Sequence, residues 1–304
     1  MLAAFARTKA QRSRILRSNM TAWLLLAPTL VFLLAFTVFP ILRSLYLSFH
    51  QLELGMREPF YIGIRNFAKL FKSALFGKVM RNTGIYSLLT VIPTMAMGLL
   101  LAMVLNQRFR GIGFLRTAYF YPVVMPMIAC ASIWMFIYMP QTGMLSQLLL
   151  SMGIGEQYFL SRAETVLPSL ALVYVWKEAG YMMIFFLSGL QNISPELYEA
   201  ARIDGANAWT TFRRITFPLL MPTTLFVSTI ALTNSIKMID QVVIMTEGAP
   251  SNGSSMLLYY IYQNGFIFFD QGLASTLTVI MLLIMLAITM VQFLGTDNRI
   301  HYSN

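Results

Sequence analysis

Six apolar runs, at residues 22–42, 85–105, 117–139, 166–190, 219–244 and 273–295, decide what this chain can fold into. Each approaches or exceeds the roughly 20 residues that a helix needs to cross the hydrocarbon layer. No water is present there to satisfy backbone N–H and C=O groups, so each run must close its own hydrogen bonds as a helix. The predicted fold class is an all-α membrane protein with six transmembrane helices. Pro28, Pro93, Pro126 and Pro222 fall within these runs, where packed neighbours let a membrane helix carry proline as a kink. The composition agrees: 57% of residues are hydrophobic and 11% charged, against about 25% charged in a soluble domain. Too few polar groups remain to coat a water-exposed surface.

The net charge of +10 would suit nucleic acid. The basic residues, however, sit mainly at the ends of apolar runs, where membrane topology places them, and no nucleic-acid partner is expected. The single cysteine, Cys130, lies inside an apolar run. It reads as a small core residue, with neither an internal disulfide nor a thiolate metal cluster open to it. The first twenty residues carry Arg7, Lys9, Arg12, Arg14 and Arg17. The run behind them is too long for the core of a cleaved signal peptide, so a retained first helix is expected. No internal repeat, low-complexity tract or linker interrupts the chain. The expected organisation is a basic N-terminus (1–20), a first helix with an outer amphipathic loop (21–83), a five-helix core (84–295) and a short tail (296–304).

Orientation follows the Lys/Arg bias of the loops. With the N-terminus inside, twelve basic residues lie inside, including Arg108, Arg110, Arg116, Arg202, Arg213, Arg214 and Arg299. Seven lie outside: Arg57, Arg65, Lys69, Lys72, Lys78, Arg81 and Arg162. The bias favours N-in and C-in. The first outer loop works against it, being as basic as any inner loop. Its stretch 64–72 alternates like an amphipathic helix lying on the membrane surface. The first helix and the last outer loop, 247–272 without a Lys or Arg, decide for N-in.

A polar insert separates the fourth and fifth runs. Ser194-Pro195-Glu196 is a helix start: a serine cap, proline at the first helical position and an acid in the first turn. Leu197, Ala200 and Ala201 give a small apolar face, and Gly205 allows a turn without a Cβ penalty. Trp209, Phe212 and Ile215 continue a second short face, which Pro218 closes. The insert reads as a helix–turn–helix outside the bilayer, with small residues, aromatic anchors and charge suited to docking in a partner's groove.

Glu-Ala-Ala, three residues, Gly, nine residues, Ile-x-x-Pro resembles the "EAA" loop of permease subunits in binding-protein-dependent ABC importers. Glu199, Ala200, Ala201, Gly205, Ile215 and Pro218 fall on that pattern, while Phe217 stands where Leu is usual. The stretch from Trp176 to Ser194, with Leu190-Gln-Asn-Ile193, resembles the helix before this loop in the carbohydrate branch. Met245-Thr-Glu-Gly-Ala-Pro250 is similar to the segment after that branch's fifth helix, with Ala249 in place of a Gly, and Gly63-Ile-Arg-Asn-Phe67 to its first outer loop. The likeness covers roughly residues 20–295 and implies the type I ABC importer permease fold. It implies that the insert 194–218, Asp204 included, is a coupling helix seated in a cytoplasmic ATPase, with Glu199 paired to a base there. ATP binding would draw the coupling helices together and open the cavity outward. It further implies a second homologous permease subunit, two ATPase copies, an extracytoplasmic solute-binding protein and a place in the bacterial inner membrane.

The chain has no Gly-x-x-x-x-Gly-Lys-Ser/Thr loop; Gly77-Lys78 lacks both the upstream Gly and the following Ser/Thr. ATP and Mg are therefore expected on a partner, with no cofactor or metal here and no enzymatic activity. His50 and His301 sit at loop and tail positions and offer no nucleophile–base pair. Charged residues inside the runs are costly in hydrocarbon and face a wet path or each other. Lys177 and Glu178 lie in the fourth run, and Lys237 and Asp240 in the fifth, three apart and hence on one helix face. In the resembled family the matching positions line the sugar cavity, which selects Lys177, Glu178, Tyr181, Asn234, Ser235 and Met238. Structural pairing, or contact with a second permease, is the alternative role for Lys177–Glu178 and Lys237–Asp240. Neutral sugars bind through amides, hydroxyls and aromatic faces, whereas two lysines would suit an anion such as a glycerol phosphate or an acidic sugar. The competing class is an ion-driven secondary transporter, which would need no coupling insert and usually shows related halves. A membrane-embedded enzyme has no catalytic constellation behind it.

Overall fold

The computed structural model describes residues 9–107 and 110–296. Arg7, Arg108, Arg299, His301 and the tail from residue 297 lie outside the described residues. Helix α1 (Lys9–Leu33) passes through a wide turn, Leu34–Val38, into α2 (Phe39–Ser48). Pro40 has no N–H to continue the ladder. It widens just ahead of that residue, where the Phe39 N–H reaches back to the Leu34 carbonyl. The first span therefore runs to Ser48 rather than residue 42. A short hairpin, β1 (His50–Gln51) against β2 (Phe60–Tyr61), leads to α3 (Arg65–Lys72). Asn66 fastens α3 to the end of α2 by donating to the carbonyls of Ser48 (3.3 Å) and His50 (3.0 Å).

Helix α4 (Ala74–Leu105) starts well before residue 85, capped by Ser73, whose hydroxyl accepts from the Phe76 N–H at 3.4 Å. Its first turns are polar because they hold a loop, not lipid. Lys78 donates to the Ser251 carbonyl (2.6 Å), and Asn82 to the carbonyls of Asn252 (2.9 Å) and Ser255 (3.1 Å). The third run is not one kinked helix. It divides into α5 (Ile112–Val124) and α6 (Met127–Ile137), which meet at 97°. Pro126 removes an N–H and drives Met125 to extended backbone. Then follow α7 (Met144–Ser151) and α8 (Val166–Gln191). The insert contains α9 (Pro195–Ile203), α10 (Ala208–Thr211), a wide turn at Phe212–Thr216 and α11 (Phe217–Leu219). The chain ends with α12 (Met221–Ile236), α13 (Asp240–Met245), α14 (Leu257–Tyr262) and α15 (Gln271–Thr296). Among the described residues, four helices are long and apolar enough to cross a membrane, or up to six when each bent pair counts as one span.

Helix α8 is the spine. Leu170 and Tyr174 join Tyr86 and Val242 in one buried cluster, and Met182, Phe186 and Leu190 join Leu105, Leu220 and Val227 in a second. A Cβ on Gly98 would come within 2.7 Å of the Met182 Cβ and 3.0 Å of the Met183 nitrogen, so α4 and α8 touch backbone to backbone. A third cluster, with Leu70, Val79, Leu257 and Leu277, ties α3 and α14 between α4 and α15. The first span buries none of its most apolar window and reaches the rest through α2 on α15.

Candidate functional site

The insert begins as expected. The Ser194 hydroxyl accepts from the Glu196 N–H at 3.3 Å, and Pro195 opens α9. The chain turns at Gly205, whose φ of +73° is left-handed. A Cβ there would meet nothing within 4 Å, so glycine is needed for its backbone freedom and not for space. The sequence reading missed Asn207, whose side-chain oxygen accepts from the Thr210 N–H at 2.8 Å and starts the second arm. The readable signal was an amide residue directly before Ala-Trp-Thr, a standard N-cap choice. The Tyr198 and Thr216 hydroxyls, 3.3 Å apart, bridge the arms. Trp209 stacks on Phe212 and Phe212 leans on Phe217, at 5.8 and 5.9 Å. A hollow of about 610 Å³ is lined by Leu197, Ala200, Ala201, Asp204, Gly205 and Ile215, among others. Ile203 (87%) and Trp209 (67%) stand in the open, which is costly for such side chains unless something covers them. Glu199 is exposed and forms no ion pair among the described residues. Pro218 lies in α11, and the helical segment Ala208–Leu219 turns by 68° into the next span.

The intramembrane polar residues divide into three groups. Glu178, Asn234, Lys237, Met238 and Asp240 line one hollow of about 250 Å³, together with Met127, Tyr174 and Ile239. Lys237 and Asp240 do not share a continuous helix face. Helix α12 ends at Ile236, Lys237 caps it, and Asp240 begins α13. The two charges sit on either side of a break and form no ion pair within 4 Å. Ser235 turns the other way: it is 1% exposed and meets the hydroxyls of Thr90 (2.9 Å) and Ser87 (3.1 Å) on α4. Tyr181 packs edge-on against Phe185 at 4.9 Å beside the second cluster, away from the hollow. Ser235 thus packs against α4 and Tyr181 against Phe185 of its own helix, and neither lines the hollow with Asn234 and Met238.

Lys177 is 6% exposed and donates to Glu178 (3.3 Å) and to the Val123 carbonyl (3.1 Å). Tyr174 was not anticipated. It lies one turn before Glu178, its ring lines the same hollow, and its buried hydroxyl has no hydrogen-bond partner. The i, i+4 relation to Glu178 was the available signal. Tyr86 donates to Gln241 (2.8 Å), which donates to the Leu170 carbonyl (3.0 Å), so α13 is fixed to both α4 and α8.

The family model described as binding-protein-dependent transport system inner membrane component matches residues 79–296. The chain is 32% identical over 295 residues to the sn-glycerol-3-phosphate transport system permease protein of Agrobacterium fabrum, covering 96% of this chain and 99% of that one. It is 32% identical over 287 residues to the lactose transport system permease protein of Rhizobium radiobacter, covering 92% and 95%. Among solved structures, a bacterial alginate ABC transporter in complex with an alginate pentasaccharide-bound periplasmic protein has a chain that superposes with a TM-score of 0.84 at 23% identity, over 96% of this chain and 99% of that one.

Proposed function

The chain belongs to the family of binding-protein-dependent transport system inner membrane components, and from that premise we propose that it is one permease half of an ATP-driven importer for a neutral sugar or small oligosaccharide. The observation that carries the coupling role is the insert 194–218. It exposes Ile203 and Trp209, holds a hollow whose lining includes Ala200, Ala201 and Gly205, and stands at an angle to the span that follows. A separate ATPase would fill that hollow and pair with Glu199, and two ATPase copies with a second permease would complete the assembly in the cell membrane. An extracytoplasmic binding protein would deliver the solute. This role follows from family membership and the insert; the alginate neighbour supports the fold.

The solute class rests on charge. The sn-glycerol-3-phosphate permease carries an anion by name and the lactose permease a neutral sugar. In this chain Lys177 is engaged by Glu178, and the hollow presents Lys237 together with Asp240. With one lysine, Lys237, and two carboxylates, Glu178 and Asp240, on its wall beside Asn234, the hollow suits an uncharged polyol better than a phosphate. A panel of labelled sugars and glycerol phosphates, presented to the cognate binding protein and then to the assembled transporter in vesicles, tests this. Uptake of a neutral sugar that glycerol phosphates do not compete with is expected. Uptake of glycerol phosphate alone would overturn the solute assignment, and uptake without ATP would overturn the importer.

A further inference from the structure

We propose that Lys177 is a positioning residue that pins the end of α5, at the break in the span, to α8, and that it does not touch the solute. The break creates the need. Helix α5 ends at Val124, and the α-helical donor for the Val123 carbonyl would be the N–H of Met127, on the far side of the 97° bend. A carbonyl without a donor at membrane depth is costly. The Lys177 ammonium donates to it at 3.1 Å, and a cation at a helix C-terminus is favoured by the aligned peptide dipoles. The same ammonium holds Glu178 at 3.3 Å, so the carboxylate stands at the wall of the polar hollow while Lys177 itself is absent from that wall.

Three nearby residues of α8 hold both arms. One turn beyond Trp176, Gly180 lets α8 approach α5 so closely that a Cβ there would collide with the Tyr119 carbonyl and lie 3.2 Å from the Phe120 Cα. Trp176 meets Trp134 of α6 edge-on, with ring centroids 5.6 Å apart. Lys177, between them, supplies the only one of these contacts that is charged and directional. It is 6% exposed, and its ammonium is held between the Val123 carbonyl and Glu178.

The functional consequence rests on the importer reading above; the geometric claim does not. Full-length protein in lipid nanodiscs, with Cys130→Ala and spin labels at Phe114→Cys on α5 and Phe136→Cys on α6, reports the angle of the break. Both label sites are exposed, at 77% and 70%. Lys177→Arg should keep the narrow distance distribution of the parent. Lys177→Met should add a second population, about tenfold more occupied than in the parent, the scale set by losing a charge-assisted hydrogen bond. In the assembled transporter, Lys177→Met should raise ATP hydrolysis in the absence of binding protein and leave KM for the loaded binding protein unchanged. An unchanged distance distribution with a raised KM would show instead that Lys177 is a solute ligand. Should the unpaired Glu178 prevent assembly, the double variant Lys177→Met/Glu178→Gln decides by the same distances, and a parent-like distribution there overturns the proposal.

Discussion

Gly205 offers the sharpest test of the insert, because the structure separates the reasons for a glycine. Space is not one of them, since a Cβ would meet no atom within 4 Å. The reason is the left-handed backbone at φ +73°. For a residue with a Cβ that conformation costs about 1–2 kcal/mol, and asparagine visits it more readily. Gly205→Ala should therefore weaken docking of the ATPase by about tenfold, the factor that 1.4 kcal/mol sets, with Gly205→Asn closer to the parent. Gly205→Pro is different in kind. Its ring fixes φ near −65°, and it deletes the N–H that bonds the Arg202 carbonyl at 3.1 Å. That variant should lose the ATPase outright. The assay is retention of the ATPase on the tagged permease across a dilution series, with permease levels in the membrane as the control. Equal losses for alanine, asparagine and proline would refute the backbone argument, and parent-like behaviour of all three would refute the role of the turn.

Asn207→Ala should remove the cap of the second arm at a cost of about 1 kcal/mol, read as weaker ATPase retention with normal membrane insertion. Tyr86→Phe leaves the Gln241 oxygen without its 2.8 Å donor and should lower stability by about 1–2 kcal/mol in detergent thermal unfolding. Gly98→Ala forces α4 from Met182 and Met183, an overpacking cost of about 1–3 kcal/mol; thermal unfolding should register it while the insert, lying elsewhere, still binds the ATPase. Asp270 accepts from the Leu273 N–H at 2.8 Å at the start of α15. Burial raises its carboxyl above the ordinary range, more than the Leu273 bond and Lys69 lower it. The folded state thus holds the proton more tightly. The stability this gives is complete below the ordinary carboxylate range and is lost as pH rises through the raised value. Asp270→Asn keeps a cap acceptor and should flatten that part of the melting temperature profile against pH.

Hydropathy made the spans legible because burial in lipid leaves a composition signature, and the insert was legible because Ser194, Gly205 and Pro218 act locally, through a cap, a left-handed turn and a missing N–H. The errors share a cause. Helix α4 starts well before residue 85 because Lys78 and Asn82 bond a loop some 170 positions away, which no local window records. Pro126 signalled disturbance, but whether a proline kinks or breaks a helix depends on what takes over the orphaned carbonyls. Here part of that answer, Lys177, lies on another helix. The same holds for Ser235, where Thr90 and Ser87 decided its direction, and for Lys237 and Asp240, whose spacing promised one face until the helix ended between them.

Those same non-local contacts link the insert to the hollow. Helix α8 ends at Gln191, and α9 begins at Pro195 after a link whose Asn192 and Ile193 N–H groups still bond back to Gly189 and Leu190 at 3.3 Å. A pull on the insert is thus delivered to α8 with little slack. Midway along α8, Trp176, Lys177 and Gly180 grip both arms of the broken span, while Tyr174 and Glu178 form part of the hollow's wall. One rigid helix therefore touches the insert, the break and the hollow, and packed helices shift as bodies rather than deform. In the importer proposed above, force applied at α9 would reach the break and the hollow together, as alternating exposure of a solute would require of a single subunit.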